Sequence, residues 1–306
     1  MKIVLLGGAG EVGSTAAFSL LAGTEGFDIV LVDPRDNVAV SHVMDLEQVI
    51  QLGGSGSIRR GDAQEIVDAE VVVMTASVPL RPNDSRSVFL GDNAATLSEA
   101  AEILKGIGSS WHGMVIVVTN PVDALCTWLL KQCKMERGRL IGYVLNDSLR
   151  FQKGVSLALN VQVESVGAWS IGEHGAHCVP LFSRVTVADE PVVLTLEQRN
   201  KAEDFLRTWY VRHVALNAGR TTNWTSGLGL ARMVRAIANP TEEIWPASVV
   251  LDGEYGISGV SVGVPVRLGR HGVEHVHRWD LEPREQDSRL RNPFVRQQTL
   301  SVPHDF

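Results

Sequence analysis

The 306-residue chain is poor in the features that mark several protein classes. It has three cysteines, Cys126, Cys133 and Cys178, whose spacing makes neither a metal-ligand pattern nor a disulfide framework. Their scarcity points to a reducing compartment. No apolar run approaches the roughly 20 residues a membrane helix needs, and no internal repeat or low-complexity linker interrupts the chain. Positive charge is short: 28 Lys and Arg against 35 Asp and Glu leave a net charge of −7. That balance argues against a nucleic-acid binder, which ordinarily carries a basic stripe. Met1 to Gly7 enters an apolar strand-like run at once, so no cleavable leader is read there. The expectation is a cytoplasmic protein that binds neither nucleic acid nor membrane.

What is present is an ordinary globular composition, 44% hydrophobic and 21% charged, in a chain long enough for one large or two medium domains. Ile3–Leu6, Ile29–Val32, Val71–Thr75 and Val115–Val118 are short, β-branched and almost continuously apolar. Strands buried on both faces of a parallel sheet read this way. Helix-compatible stretches lie between them, including Ser14–Leu21 and Asn93–Lys105, and the alternation predicts βαβ units in a doubly wound sheet. After about residue 142 the pattern changes. Val161–Trp169 and Val185–Ala188 are strand-like, Leu196–Arg220 and Gly229–Ala238 are helical, and Val249–Leu251, Ser261–Leu268 and Val273–Trp279 resemble antiparallel strands. The last twenty or so residues, charged and proline-containing, are expected to be partly helical and partly frayed. The fold class expected is α/β: an N-terminal Rossmann doubly wound parallel sheet over residues 1–142, then a C-terminal α+β catalytic domain over 143–306.

Gly8-Ala9-Gly10-Glu11-Val12-Gly13 fits G-x-G-x-x-G between the first strand and the first helix. Glycines there permit a tight turn and bring a helix N-terminus to a pyrophosphate. Such a turn can also exist with no ligand. Asp33, ending the second strand about twenty residues on, favours the dinucleotide, because its carboxylate can accept from both adenosine ribose hydroxyls. It would repel a 2′-phosphate, which favours NAD over NADP. Arg35 argues the other way, but its plainer reading is a solvated loop charge.

A second constellation is Gly172-Glu173-His174-Gly175 with Asp147 and Arg150. A carboxylate beside an imidazole favours the protonated ring and fixes its tautomer, so the ring can act as acid or base near neutral pH. A guanidinium offers a two-pronged grip on a substrate carboxylate. Taken singly, His174 could be a surface histidine and Asp147–Arg150 an ordinary helical ion pair. His177 invites a metal reading, but no third ligand stands at suitable spacing.

Other segments fall in order and register with these: Thr75-Ala76-Ser77-Val78-Pro79, Arg86, Gly91-Asp92-Asn93-Ala94, Asn120-Pro121-Val122-Asp123, the helix entry from Thr222 to Arg235, Pro246-Ala247-Ser248-Val249 and Gly263-Val264-Pro265-Val266. Over nearly its whole length the chain resembles the NAD-dependent lactate/malate dehydrogenase family, most closely the lactate-dehydrogenase-like malate dehydrogenases. The resemblance implies that His174 exchanges a proton with the substrate oxygen, Asp147 orients and tunes it, Arg150 binds the C1 carboxylate and Arg86 polarises the carbonyl. It makes 79–87, with two prolines, a hinged lid that excludes water. Asn120 would contact substrate or the nicotinamide ribose, and Thr222 would line the pocket. Gly8, Gly10, Gly13, Asp33, Thr75, Ala76, Ser77, Asn93 and Asn120 would bind NAD, and no metal is implied. Homo-oligomerisation is implied too; without an N-terminal arm, dimer and tetramer are both open.

Two positions depart from the family pattern. Ser77 stands where glycine is usual, placing a side chain where backbone normally approaches the cofactor. Leu80 occupies the position that reads the substrate's C3 substituent, where arginine accompanies malate dehydrogenases and glutamine lactate dehydrogenases. A second substrate carboxylate facing Leu80 would be buried without a partner, costing several kcal/mol. Arg81, adjacent, could supply that partner after a small change of loop path. The expectation is an NAD-dependent L-2-hydroxyacid dehydrogenase, with malate/oxaloacetate leading and an apolar 2-hydroxy acid of the lactate or 2-hydroxyisocaproate type as alternative. A non-catalytic NAD-binding protein is a further alternative. Short-chain reductases are disfavoured, since Tyr143, Tyr210 and Tyr255 have no lysine four residues on.

Overall fold

The computed structural model describes residues 1–78, 86–175 and 177–290, with the side chains of 86–88 and 287–290 outside that description. Six strands, β1 (Lys2–Leu6), β2 (Asp28–Val32), β3 (Ser57–Arg60), β4 (Val71–Met74), β5 (Met114–Val117) and β6 (Leu140–Tyr143), pair in parallel in the order β3-β2-β1-β4-β5-β6. The doubly wound sheet expected from the sequence is therefore observed. Helices α1 (Glu11–Leu21), α2 (Asp36–Gln51), α3 (Arg86–Thr96), α4 (Ser98–Ile107) and α5 (Val122–Cys133) connect the strands.

Strand alternation splits the core between the two faces. Ile3, Leu5, Ile29, Leu31, Val71 and Val73 face one layer with Ala16, Ala17, Leu20 and Leu21 of α1. Val4, Leu6, Val30, Val72 and Met74 face the other with Leu104 of α4 and Leu125 and Leu129 of α5. Both faces being covered explains why these strands carry no polar alternation.

Beyond residue 143 the chain returns to the same sheet. Helix α6 (Leu145–Leu159) is followed by short strands β7 (Val166–Gly167), β8 (Ser170–Gly172), β9 (Cys178–Pro180), β10 (Thr186–Val187) and β11 (Glu190–Pro191), then by helices α7 (Leu196–Ala215) and α8 (Asn223–Ala238). The antiparallel strands β12 (Ile244–Asp252), β13 (Ser258–Gly269) and β14 (Gly272–Val276) precede α9 (Pro283–Leu290). Ala247 and Ser248 of β12 pair antiparallel with Tyr143 and Gly142 of β6, and β13 continues the sheet to β8 through Gly263 and Gly172. Helix α8 covers β1 and β12–β13 within one apolar cluster. One sheet thus carries the glycine turn at one part and the His174 loop at another, with the segment that joins them buried.

Several local expectations are corrected. Asn93–Lys105 is not one helix: the axis turns at Leu97, which is 1% exposed and anchored in the core. Only Val166–Gly167 of the run 161–169 is a strand, because Asn160 closes α6 in a left-handed conformation and Val161 is tied back to Ser156. Val161, Val166 and Ala168 of that run fill a satellite core with Phe151, Val155 and Leu206. Helix α7 ends at Ala215, before left-handed Asn217. Helix α8 begins at Asn223, six residues before the expected start at Gly229, and carries Gly227 and Gly229 in its first turns. Close packing is the reason: a Cβ on Gly227 would lie 2.5 Å from Cγ2 of Thr15, and one on Gly229 2.2 Å from the Tyr143 hydroxyl. Strands β3 and β6 add to the four N-terminal strands expected from the sequence. Residues 291–306, including the expected frayed end, lie outside the described residues.

Candidate active site

The glycine turn sits where β1 meets α1. Gly7, one residue before the sequence motif, has φ of +81°, and a Cβ there would lie 2.5 Å from the Ala76 nitrogen. That approach is fastened by Thr75, whose hydroxyl donates to the Leu6 and Gly7 carbonyls at 2.9 and 3.2 Å. Gly10 caps α1 without a side chain, leaving the first-turn N–H groups to an anion. Gly13 lets the helix close on the turn, since a Cβ would meet the Gly7 carbonyl oxygen at 2.6 Å. These residues fit the pyrophosphate of a dinucleotide.

Asp33, just beyond the end of β2, accepts from the Ala9 N–H at 3.1 Å. Arg35 is an exposed loop charge, as its position suggested, but it also pairs with Asp33. Its Nε and Nη2 reach the two Asp33 carboxylate oxygens at 3.0 and 3.2 Å, and its main-chain N–H donates to Oδ1 at 3.0 Å. Burial would raise the Asp33 pKa, but the Arg35 and Ala9 hydrogen bonds hold it below the usual carboxylate range. A ribose approaching this carboxylate would meet the Arg35 guanidinium.

Two loops at the carboxyl edge of the sheet are braced together. Asn93, fully buried, accepts from the Val78 N–H and donates to the Asn120 carbonyl, both at 2.8 Å. Its carboxamide thereby braces the two loops against each other. Thr119 donates to the Met74 and Ala76 carbonyls at 3.0 and 2.8 Å. Asn120 and Ser77 are exposed at this edge, beside half-buried Thr75 and Ala76. The Asn120–Pro121 peptide is cis.

A histidine–carboxylate–guanidinium cluster is assembled from α6 and the loop after β8. His174 Nδ1 lies 2.7 Å from Asp147 Oδ2, and Arg150 Nη1 donates to Asp147 Oδ1 at 3.4 Å. Both acidic and basic members emerge from α6 because residues three apart share a helical face. Asp147 is 5% exposed. Burial alone would lower the His174 pKa; the Asp147 charge and hydrogen bond, reinforced by Asp123, raise it above its ordinary value. Burial lowers the pKa of Arg150, partly offset by Asp147. With Nδ1 committed to Asp147, Nε2 is the ring atom left to exchange a proton with a bound substrate.

Asp123 was passed over in the sequence, although it closes the Asn120–Asp123 segment. It is 5% exposed; its Oδ2 accepts the His174 main-chain N–H at 2.7 Å, and its Oδ1 accepts from the Ser248 hydroxyl. Ser248 in turn contacts Ser261 Oγ at 2.8 Å. Burial is the main cause of an Asp123 pKa of about 6, opposed by the Ser248 and His174 hydrogen bonds. No local spacing signals this role, because the partners lie 51 and 125 residues away.

Thr222 is half-buried at the start of α8, one turn before Ser226, whose hydroxyl accepts from Asn146 beside Asp147. Thr221 and Asn223, on either side, bond Glu11 and Thr15 of α1. Thr222 thus stands where the helix opening the glycine turn meets the His174 cluster. Arg86 begins α3 with its side chain outside the description; Leu80, Arg81 and 79–85 of the expected lid lie outside the described residues. Among the described residues no three His, Cys, Asp or Glu side chains are grouped to hold a metal ion, and no helix is long and apolar enough to cross a membrane.

A dinucleotide turn after β1, with a histidine–aspartate pair and a half-buried arginine from α6 and the loop after β8, belongs to an NAD-dependent oxidoreductase acting on a 2-hydroxy acid. Profiles described as the lactate/malate dehydrogenase NAD binding domain and alpha/beta C-terminal domain match residues 1–142 and 146–291. The chain is 32% identical to a malate dehydrogenase of Halobacterium salinarum, covering 94% of each. Its fold is similar to the Cryptosporidium parvum malate dehydrogenase, with a TM-score of 0.87, 26% identity and 98% of each chain covered. A lactate dehydrogenase from Cryptosporidium parvum, solved with lactic acid and NAD, superposes with a TM-score of 0.85 at 25% identity over 99% of this chain and 98% of that one. The chain belongs to the lactate/malate dehydrogenase family.

Proposed function

We propose that this enzyme interconverts malate and oxaloacetate with NAD, and that His174 is its acid/base. The observation that carries the chemistry is the 2.7 Å pair between His174 Nδ1 and Asp147, with Arg150 on the other Asp147 oxygen. The malate assignment is supported by relatives named malate dehydrogenase at 31–33% identity over more than nine-tenths of the chain. NAD supplies or accepts the hydride when bound. In the reductive direction His174 Nε2–H donates its proton to the ketone oxygen, and in the oxidative direction neutral Nε2 takes the hydroxyl proton. Asp147 stabilises the imidazolium throughout. Arg150 grips the C1 carboxylate in bidentate fashion, fixing the ketone against Nε2. Arg86 polarises the carbonyl where negative charge develops. Thr222 lines the substrate side, Asn120 contacts substrate or the nicotinamide ribose, and Gly8, Gly10, Gly13, Asp33, Thr75, Ala76 and Ser77 surround the cofactor.

Leu80 favours a second reading, an apolar 2-oxo acid, unless Arg81 meets the distal carboxylate. NADH oxidation with oxaloacetate, pyruvate, 2-oxoisocaproate and phenylpyruvate, compared by kcat/KM, decides between them. Highest kcat/KM with oxaloacetate supports the malate reading; a preference for 2-oxoisocaproate or phenylpyruvate overturns it. Leu80→Arg is expected to move selectivity toward oxaloacetate, and an unmoved ratio would remove Leu80 from the specificity site. We also propose a cytoplasmic homodimer or homotetramer. Exposed Phe18, Met44, Trp224 and Leu228 on α1, α2 and α8 support self-association. Light scattering across concentration measures it.

A further inference from the structure

Arg150 presents an unusual balance of contacts. Its side chain is 15% exposed, and among the described residues its hydrogen bonding is a single 3.4 Å contact to Asp147. Asp147 is itself shared with His174 at the shorter distance of 2.7 Å. A guanidinium has five N–H donors in a rigid plane, so one long hydrogen bond neither orients it nor compensates its loss of water. An aromatic ring also meets it: the Arg150 Cζ lies 4.3 Å from the centre of the Trp209 ring. Trp209 is half-buried on α7, and His213, one turn further, stacks on its indole at 5.2 Å and 15°.

The placement of α7 follows from a close crossing with α6. A Cβ on Gly154, one turn after Arg150, would lie 2.6 Å from the Ala202 carbonyl oxygen of α7. Only a glycine lets the helices approach this far, and two turns along α7 from Ala202 the indole meets the guanidinium.

We propose that Trp209 is a positioning residue that clamps the Arg150 guanidinium by its flat face, presenting its N–H edge to a substrate carboxylate. The inference rests on the reading of Arg150 as the carboxylate-binding group. A ring over the face stabilises the buried cation and consumes none of its N–H donors. The donors stay in the plane, where two can meet one carboxylate. Were the orientation held by further carboxylates instead, they would compete with the substrate for those N–H groups.

The test compares Trp209→Leu and Trp209→Phe with the wild-type enzyme. Oxamate, an unreactive carboxamide analogue of a 2-oxo acid, is titrated into the NADH-saturated protein, and kcat and KM are measured for the best 2-oxo acid. Trp209→Leu should weaken oxamate and raise KM by about 5- to 30-fold, with kcat changed less than about threefold and NADH affinity unaltered. Trp209→Phe, which keeps an aromatic face, should recover most of the loss. Equal oxamate affinity in Trp209→Leu and wild type overturns the clamp, as does Trp209→Phe impaired as deeply as Trp209→Leu, which would mean space filling alone. Failure of every 2-oxo acid to turn over would overturn the activity reading, while oxamate affinity would still read the clamp. Absence of saturable oxamate binding to the wild type overturns the clamp directly.

Discussion

The main-chain N–H of His174 donates to the Asp123 carboxylate at 2.7 Å, across 51 residues of sequence. The loop bearing the proposed acid/base is therefore tied to the first turn of α5. Asp147 sets the ring and Asp123 sets the backbone beneath it.

Removing that tether has a defined cost. Asp123→Ala leaves the His174 N–H and the Ser248 hydroxyl without their partner in a buried site, a loss of about 1–3 kcal/mol for each group. Thermal melting is expected to fall by several degrees, with kcat reduced more than the NADH Kd is raised. A melting temperature equal to wild type would show that water replaces the carboxylate at no cost.

Ionisation of Asp123 also gives a pH signature. Its folded pKa of about 6 lies above the unfolded value of 3.8, so the folded state binds the proton more tightly. Its contribution to stability is full below the unfolded value and is lost as pH rises through about 6. The difference in melting temperature between wild type and Asp123→Asn should therefore change between pH 4 and 6. A constant difference across that window would contradict the raised value.

His174 and Asp147 make a separate pair of variants. His174→Asn should reduce turnover by at least the roughly 10²–10⁴-fold associated with a general acid/base, while NADH binding persists. Near-normal turnover would sink the assignment. Asp147→Asn removes the charge that raises the His174 pKa. Protonated His174 is needed for reduction, so the pH at which the reduction rate declines should move downward in that variant. An unmoved limb would assign the observed pKa to another group.

Arg35 competes with a ribose for both oxygens of Asp33. Arg35→Ala should tighten NADH binding by a few-fold and weaken any use of NADPH, because it uncovers the carboxylate and leaves its charge unneutralised. Titration of both reduced cofactors checks the sign. Weaker NADH binding would mean that Arg35 itself contacts the cofactor.

The α1–α8 crossing can be probed away from the chemistry. Gly227→Ala places a Cβ 2.5 Å from Cγ2 of Thr15 and 2.9 Å from the Ala16 nitrogen. Overpacking of this kind costs about 1–3 kcal/mol, read as a lowered denaturant midpoint. A midpoint at the wild-type value would show that α8 shifts freely on α1.

Much of the architecture was legible because its signals are local. Apolar runs such as Ile3–Leu6 and Val115–Val118 carry their burial in their composition, and glycines followed by Asp33 mark a strand–turn–helix with a carboxylate at fixed reach. Asp147 and Arg150 are neighbours on one helical turn, so their partnership could be read from spacing. The first turns of α8 are less legible, because Gly227 and Gly229 lower local helix propensity while permitting close contact with Thr15 and Tyr143.

The histidine proposed as acid/base, and the pairing of a dinucleotide turn with an arginine proposed to grip an anion, follow from residue identity and order. Tertiary structure alone decided that Asp123 holds the His174 backbone, that Arg35 closes on Asp33, that Asn93 braces two loops and that Trp209 covers Arg150. Arg35–Asp33 depends on a side-chain torsion that spacing does not dictate. The other three depend on distant segments packing against one another, and such contacts leave no period in the sequence because each uses a single residue from each segment.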